Sequence, residues 1–235
     1  MIWQIIAAPV SPEVLPTPLA VGQSLVYLFV SGTLIGRLVQ TLSVFLVGYT
    51  ISAALGVIIG AAMARSKTVE TALDPYINAL MATPWVVLIP LFVIWFGTGV
   101  YARIAVIVIS VIFPVIINTL SGFKNVNRGY VETARSFGCN GLALYRKAIL
   151  PAALPYIIAG LRIAIVIGLA AALLSEMFLQ IIGLGYLILV YQLILQIANM
   201  LAVIFVIALI GLSLTELLKY FERKLAPWRA ATSGG

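Results

Sequence analysis

Histidine is absent from this 235-residue chain, and cysteine occurs once, at Cys139. The lack of histidine removes the commonest general base and the commonest metal ligand. One thiol cannot form an internal disulfide or a thiolate zinc site. The chain also lacks the G-x-x-x-x-G-K-[ST], H-E-x-x-H and G-x-S-x-G motifs, which excludes a P-loop ATPase and two common hydrolase types. We therefore expect no catalytic site, metal site or cofactor in this chain.

Charged residues are scarce as well. Lys and Arg number 14 and Asp and Glu number 7, so charged residues make up 9% of the chain, against about 25% in ordinary soluble domains. Hydrophobic residues make up 63%, and the mean hydropathy is +1.17. A chain of this length cannot hide so much apolar surface from water, which excludes a water-soluble globule and a nucleic-acid-binding domain. We predict an all-α protein that crosses the inner or plasma membrane several times, in contact with lipid.

Five stretches are long and apolar enough for a bilayer-crossing helix, which needs about 20 residues. They are residues 38–64, 76–96, 104–120, 154–174 and 200–218. The apolar stretch at residues 178–199 is interrupted by two glycines, which favours a partly re-entrant or surface segment over a full span. A sixth complete span is the alternative for this stretch. We divide the chain into an N-terminal segment with an interfacial helix, residues 1–36, and a transmembrane domain, residues 37–235.

The basic residues indicate how the chain is oriented. Eleven of the fourteen Lys and Arg residues follow span one, separate spans three and four, or follow span five. Arg37 and Arg103 fall on the other side, and Arg162 falls within span four. Because cytoplasmic loops are enriched in Lys and Arg, we expect the loop at residues 124–151 and the C-terminus to be cytoplasmic.

Two spans carry small residues at every fourth position, which allows another helix backbone to approach closely. These faces indicate either ordinary packing between membrane helices or a surface toward a second subunit or a moving pathway. They are Gly48, Ser52, Gly56, Gly60 and Ala64 in span one, and Gly160, Ala164, Gly168 and Ala172 in span four.

Five residues in or beside the spans are candidates for lining a pathway between the membrane helices: Pro84, Trp85, Asn118, Arg162 and Glu176. A carboxylate at a span end is costly unless it is solvated or paired. Each candidate also has a structural interpretation. Prolines kink membrane helices of many kinds, tryptophan is common at membrane interfaces, and polar side chains satisfy neighbouring helix backbones.

The polar segment at residues 124–151 has the pattern of a helix, a glycine and a second helix. Glu132 and Arg135 are spaced for a helical pair, and Gly138 offers a break. A second amphipathic stretch leads to Pro151, which suits the first turn of the next span. Such a segment presents a rigid knob that fits a groove on another protein. The alternative is a surface helix drawn to the inner leaflet by its basic residues.

This segment resembles the EAA loop of the binding-protein-dependent ABC transporter permeases, whose pattern is E-A-A-x3-G-x9-I-x-L-P. Thr133 replaces the second-position alanine of the pattern, and Ala148 replaces its isoleucine, with Ile149 next to it. The matching residues are Glu132, Ala134, Gly138, Leu150 and Pro151.

The resemblance continues through ATPWVVLIPLFVIWFGTG, ILPAALPYIIAGLRIAI, SEMF and GLGYLI, which are similar to permeases for sulfonates, taurine, nitrate and bicarbonate. It implies the transmembrane subunit of an ATP-driven importer, with two copies facing each other across a pathway. Two separate ATPase subunits would use ATP and Mg. A periplasmic or lipid-anchored binding protein would deliver a small organic or inorganic anion. Members of this family usually have one more N-terminal span, and Met1 to Ala8 look like the end of such a span.

The resemblance also implies roles for the loop residues in coupling to the ATPase. Glu132 would pair with a basic group on the ATPase, Gly138 would allow the sharp turn, and Pro151 would fix the entry of span four. The full set of candidate coupling residues is Glu132, Thr133, Ala134, Arg135, Gly138, Leu142, Ile149, Leu150 and Pro151.

Two other functions compete with the importer. An ion-coupled secondary transporter predicts internal repeats and intramembrane carboxylates. The sequence has no convincing repeat, and only Glu176 lies near a membrane face. An intramembrane enzyme needs a nucleophile and a base, or a metal cluster, which the absence of histidine disfavours.

Overall fold

The computed structural model describes residues 2–7, 9–11 and 13–225, and every regular element within these ranges is helical. Arg229, one of the basic residues behind the predicted orientation, lies outside them. The α-helices are α1 (Ile2–Ala7), α2 (Pro18–Val30), α3 (Thr33–Arg65), α4 (Lys67–Ala82), α5 (Ile89–Phe96), α6 (Val100–Lys124), α7 (Arg128–Ser136), α8 (Gly141–Leu144), α9 (Leu150–Leu179), α10 (Leu184–Leu193) and α11 (Ile197–Leu225). A 3₁₀ segment, Trp85–Leu88, precedes α5, and a π segment, Tyr145–Ile149, joins α8 to α9.

Within the described ranges, four helices are long and apolar enough to cross a membrane. They are α3, α6, the continuous helix Gly141–Leu179 that contains α8 and α9, and α11 up to Lys224. Their positions match the predicted spans one, three, four and five. The all-helical membrane architecture predicted from composition is therefore confirmed.

Span two, predicted at residues 76–96, is divided into two helical parts at Pro84. The chain is helical to Ala82, but Thr83 is extended, with φ −81° and ψ 123°. Pro84 follows, and a residue before proline is sterically pushed out of the helical region. The 3₁₀ segment and α5 then resume the helix. The helices on either side of the break are long and apolar enough for a span only when they are taken together as a bent pair. Counting this pair as one span gives at most five spans in the described residues.

The two other apolar stretches form short helices. Helix α10 has 10 residues and α2 has 13, and neither reaches the length of about 20 that crossing requires. No sixth full span therefore lies at residues 178–199. The placement of α2 at a membrane interface, and the division of the chain at residue 36, stay predictions.

The described residues form two compact units. The first combines Met1–Gly48, Val86–Ile107 and Leu169–Ser213. In this unit Gly48 of α3 lies so close to α6 that an added Cβ would overlap the side chain of Ile107. One buried apolar cluster of the unit contains Val21, Leu28, Leu34, Leu184, Leu187, Ala202 and Val203.

The second unit combines Tyr49–Trp85, Val108–Gly168 and the described residues from Leu214 onward. Here a Cβ added to Gly60 of α3 would lie 2.7 Å from the carbonyl oxygen of Ile116 in α6. The small-residue face of α3 therefore packs against α6 within this chain. This agrees with the first of the two interpretations, which is ordinary packing between membrane helices. One buried apolar cluster of this unit contains Met63, Ile77, Phe113, Ile116 and Leu120.

Candidate functional site

The predicted knob begins with α7, and local sequence sets both ends of this helix. The Asn127 side chain caps the start by accepting a hydrogen bond from the Gly129 amide at 2.8 Å. At the other end the Gly138 amide donates to Arg135 O at 2.8 Å, and the Cys139 amide donates to Ala134 O at 3.0 Å. This is a Schellman motif, which needs a left-handed residue. Gly138 supplies it with φ +80°.

The second half of the knob is continuous with the following membrane helix. Five residues from Tyr145 form a π segment, which closes with a hydrogen bond from the Leu150 amide to the carbonyl of Tyr145. The next residue, Pro151, has no amide proton to donate, and π segments accommodate such a mismatch in the helical ladder. Pro151 lies in the first turn of α9, as predicted, although the backbone is already helical from Gly141 onward.

The knob exposes apolar side chains. Phe137 is 84% exposed, Leu142 is 69% exposed and Tyr130 is 63% exposed. Leu144 is buried, and the ring of Tyr145 stacks on Phe123 with 5.4 Å between ring centroids. One face of the knob is thus fixed to the body of the unit, while the other is free to meet a partner.

The nine candidate coupling residues fall into two groups by exposure. The half-buried ones are Ala134, Ile149 and Pro151, and the exposed ones are Glu132, Thr133, Arg135, Gly138, Leu142 and Leu150. Phe137, the most exposed large side chain of the knob, was missing from the predicted set. Its signal in the sequence is an aromatic residue directly before the helix-ending glycine.

The candidate pathway residues make no direct polar contact with one another in the described part of the chain. Pro84 is exposed at the break after α4, and Trp85 is half-buried in the 3₁₀ segment.

Two of these candidates are held by neighbours inside the second unit. The Nδ2 of Asn118 donates to Pro114 O at 2.8 Å, and a Cβ added to Gly160 would lie 2.6 Å from the Cβ of Asn118. Arg162 of α9 forms an ion pair with Glu222 of α11. Both polar side chains thus contribute to helix packing.

Glu176 is the centre of a buried polar cluster in the first unit. Its side chain is 0% exposed and forms an ion pair with Arg103. The other carboxylate oxygen accepts from Thr41 Oγ1 at 3.0 Å and from the Gly185 amide at 2.8 Å. The Leu184 amide in turn donates to Thr41 Oγ1 at 2.9 Å. Burying a carboxylate costs free energy unless it is paired and hydrogen-bonded. Here the Arg103 guanidinium supplies the opposite charge, and the Thr41 hydroxyl and the Gly185 amide supply the hydrogen bonds.

The two glycines after Glu176 fit closely around this cluster. A Cβ added to Gly183 would overlap the Glu176 carboxylate, and one added to Gly185 would overlap the backbone of Leu173. The S-E-M-F and G-L-G sequences are therefore parts of one structure. Sequence reasoning noted both but missed the role of Arg103, which lies 73 positions from Glu176 in the chain.

A comparison with protein families matches residues 52–227 to the family described as "Binding-protein-dependent transport system inner membrane component". The matched region includes the knob and both halves of the continuous helix that follows it.

Three curated relatives match almost the whole chain. SsuC of Bacillus subtilis (strain 168), named as an aliphatic sulfonates transport permease protein, is 34% identical over 99% of this chain and 85% of its own. The taurine transport system permease protein TauC of Escherichia coli (strain K12) is 33% identical over 93% and 82%. The formylaminopyrimidine transport permease protein ThiX of Halalkalibacterium halodurans is 31% identical over 97% and 92%.

Two solved structures share the fold. A crystal structure of an amino acid ABC transporter with histidines aligns with a TM-score of 0.70 at 23% identity, over 85% of this chain and 97% of the other. An inward-facing structure of the MetNI methionine ABC transporter aligns with a TM-score of 0.61 at 17% identity, over 82% and 96%.

Proposed function

Because the chain belongs to the family of binding-protein-dependent transport system inner membrane components, and is thus the permease rather than the ATPase of an ABC importer, we propose that its knob couples transport to a separate ATPase. The coupling segment is residues 124–151. The ATPase would bind ATP and Mg, and this chain would bind neither.

The observation that carries this proposal is an exposed apolar surface on a rigid support. Phe137 and Leu142 are largely exposed. Phe137 is the C-cap residue of α7, where the Schellman motif forms, and Leu142 lies in α8, which leads directly into Tyr145 stacked on Phe123. Exposed apolar side chains rimmed by polar ones are typical of a protein interface. The continuous helix from Gly141 to Leu179 gives a direct mechanical path from this surface into the membrane.

ATP-driven coupling requires that the partner prefer one of two states of the permease. In our proposal, closure of a pair of ATPase subunits moves two knobs, one on each of two copies of this chain. Residue Glu132 pairs with a basic group of the ATPase, and Phe137 and Leu142 fill an apolar cleft. The knob and the C-terminus lie in the cytoplasm, in agreement with the distribution of basic residues.

The proposed solute is a small organic or inorganic anion such as a sulfonate, taurine, nitrate or bicarbonate. Support comes from the relatives named for aliphatic sulfonates and taurine, which match this chain over nearly its full length. An external binding protein, periplasmic or lipid-anchored, would deliver the solute.

The proposal is tested by purifying the tagged chain in mild detergent with its neighbouring gene products and reconstituting the complex in proteoliposomes. We expect an ATPase to co-purify. We also expect uptake of labelled taurine or alkanesulfonate that requires ATP inside the vesicles and the binding protein outside. ATP-independent uptake driven by an ion gradient, by the chain alone, would overturn the proposal in favour of a secondary transporter.

A further inference from the structure

A cleft of about 430 Å³ lies between the knob and the ends of two membrane helices in the second unit. Its walls combine apolar and aromatic side chains with one guanidinium group. The lining residues are Ala61, Ala64, Arg65, Phe123, Gly141, Leu142, Tyr145 and Ile149.

The cleft lies where two apolar helices end. Arg65 is the last residue of α3, and Phe123 precedes Lys124, the last residue of α6. Apolar spans end at the boundary between hydrocarbon and headgroups, where basic residues are enriched. The Arg65 side of the cleft is therefore expected at headgroup depth, with the alanines of α3 toward the acyl chains.

Charge in and around the cleft favours an anion. No carboxylate among the described residues pairs with Arg65, and none lines the cleft. The nearby carboxylate of Glu70 is already bound by Lys124 at 2.6 Å and by Lys67 at 3.3 Å. The guanidinium of Arg65 thus has no anionic partner within the described part of the chain. A planar guanidinium also suits bidentate binding of a phosphate.

We propose that this cleft binds an anionic phospholipid, with the lipid phosphate on Arg65 and the glycerol and first acyl carbons against Phe123 and Tyr145. Basic pockets between membrane helices commonly hold anionic headgroups. A lipid would contact both the guanidinium and the adjoining apolar wall of the cleft, whereas a free anion would contact only the guanidinium. The proposal depends on the membrane placement of α3 and α6, and is independent of the transported solute.

The test is a titration of the delipidated full-length chain with phosphatidylglycerol, read by native mass spectrometry. We expect Arg65→Gln to weaken the tightest lipid site about fivefold or more, from the contribution of one basic residue at a membrane surface. Arg65→Lys should retain most of the affinity. A second variant, Ala61→Phe, keeps the charge and fills the cleft, and it should also weaken binding.

Controls separate this site from general attraction to basic residues. Arg223→Gln removes the same charge from the end of α11 and should leave the tightest site within twofold of the original. Phosphatidylcholine should bind all variants alike, and inorganic phosphate at millimolar concentration should not displace the lipid.

Three results would overturn the proposal. The first is equal phosphatidylglycerol affinity in the original chain and Arg65→Gln, with both eluting as one monodisperse peak. The second is displacement by inorganic phosphate, which would make the cleft a site for a free anion. The third is loss of a co-purifying ATPase from Arg65→Gln with lipid binding unchanged, which would assign the cleft to that subunit.

Discussion

The carboxylate of Glu176 and the guanidinium of Arg103 form an ion pair with both side chains almost fully buried. Because the Gly185 amide and Thr41 Oγ1 also donate to this carboxylate, the pair fixes the turn between α9 and α10 to α3 and α6. We interpret the cluster as a structural lock on this turn.

Removing the charge of either Arg103 or Glu176 alone is expected to destabilise the protein strongly. Glu176→Gln leaves a buried cation and Arg103→Met leaves a buried anion, and loss of one partner from a buried pair costs about 3–5 kcal/mol. We expect each variant to lower the apparent melting temperature in detergent by on the order of 10 °C.

The double variant Arg103→Met/Glu176→Gln gives the sharper test of the pair. It buries no unpaired charge, and the glutamine oxygen still accepts from Gly185. Its melting temperature should exceed that of both single variants. Strictly additive losses would show that the two side chains act independently, contrary to our interpretation.

The close fit of Gly183 against the Glu176 carboxylate leads to a second prediction. Gly183→Ala places a methyl group where the Glu176 carboxylate lies. Overpacking of this kind costs about 1–3 kcal/mol, so we expect lower thermal stability. Gly36→Ala on α3 is the matched control, because an added Cβ there meets nothing within 4 Å. Alanine is also the better helix former by roughly 0.5–1 kcal/mol. Equal melting temperatures for the two variants would contradict the close fit.

The knob could be predicted from sequence because its determinants are local. Asn127 caps a helix that starts at the next residue, and Gly138 ends it within the same ten or so residues. The apolar spans could be predicted for a similar reason, since length and hydropathy alone set them.

The lock and the break in span two could not be found in this way. Pairing of Arg103 with Glu176 joins residues 73 positions apart, and no periodicity in one sequence connects them. The sequence pattern places Pro84 inside a span, and membrane helices tolerate kinks at proline. Whether a proline bends a helix or ends it depends on which neighbours satisfy the freed backbone groups, and that is a property of the fold.

A third prediction concerns docking of the knob. Phe137→Ala removes a side chain that is 84% exposed, so thermal stability of the permease should not change. Recovery of the ATPase in a pull-down should fall at least tenfold, the scale of a hot spot of about 2 kcal/mol. Phe178→Ala, the same change at an exposed position of α9, should leave recovery unchanged. Full recovery with Phe137→Ala would show that this side chain is not part of the interface.

The π segment leads to the last prediction. A π segment holds one residue more than an α-helix of the same span. Deletion of Ala148 should therefore restore α-helical hydrogen bonding and keep the knob in nearly the same direction relative to α9, because the π segment already accommodates the extra residue within about one turn. Phe137 and Leu142 would still face the same way. We expect reconstituted vesicles to retain uptake with the deletion variant and with Ala148→Ser, which keeps the length. Melting temperatures within a few degrees of the original would confirm that both variants fold. Loss of uptake by a folded deletion variant would show that coupling depends on the π segment itself.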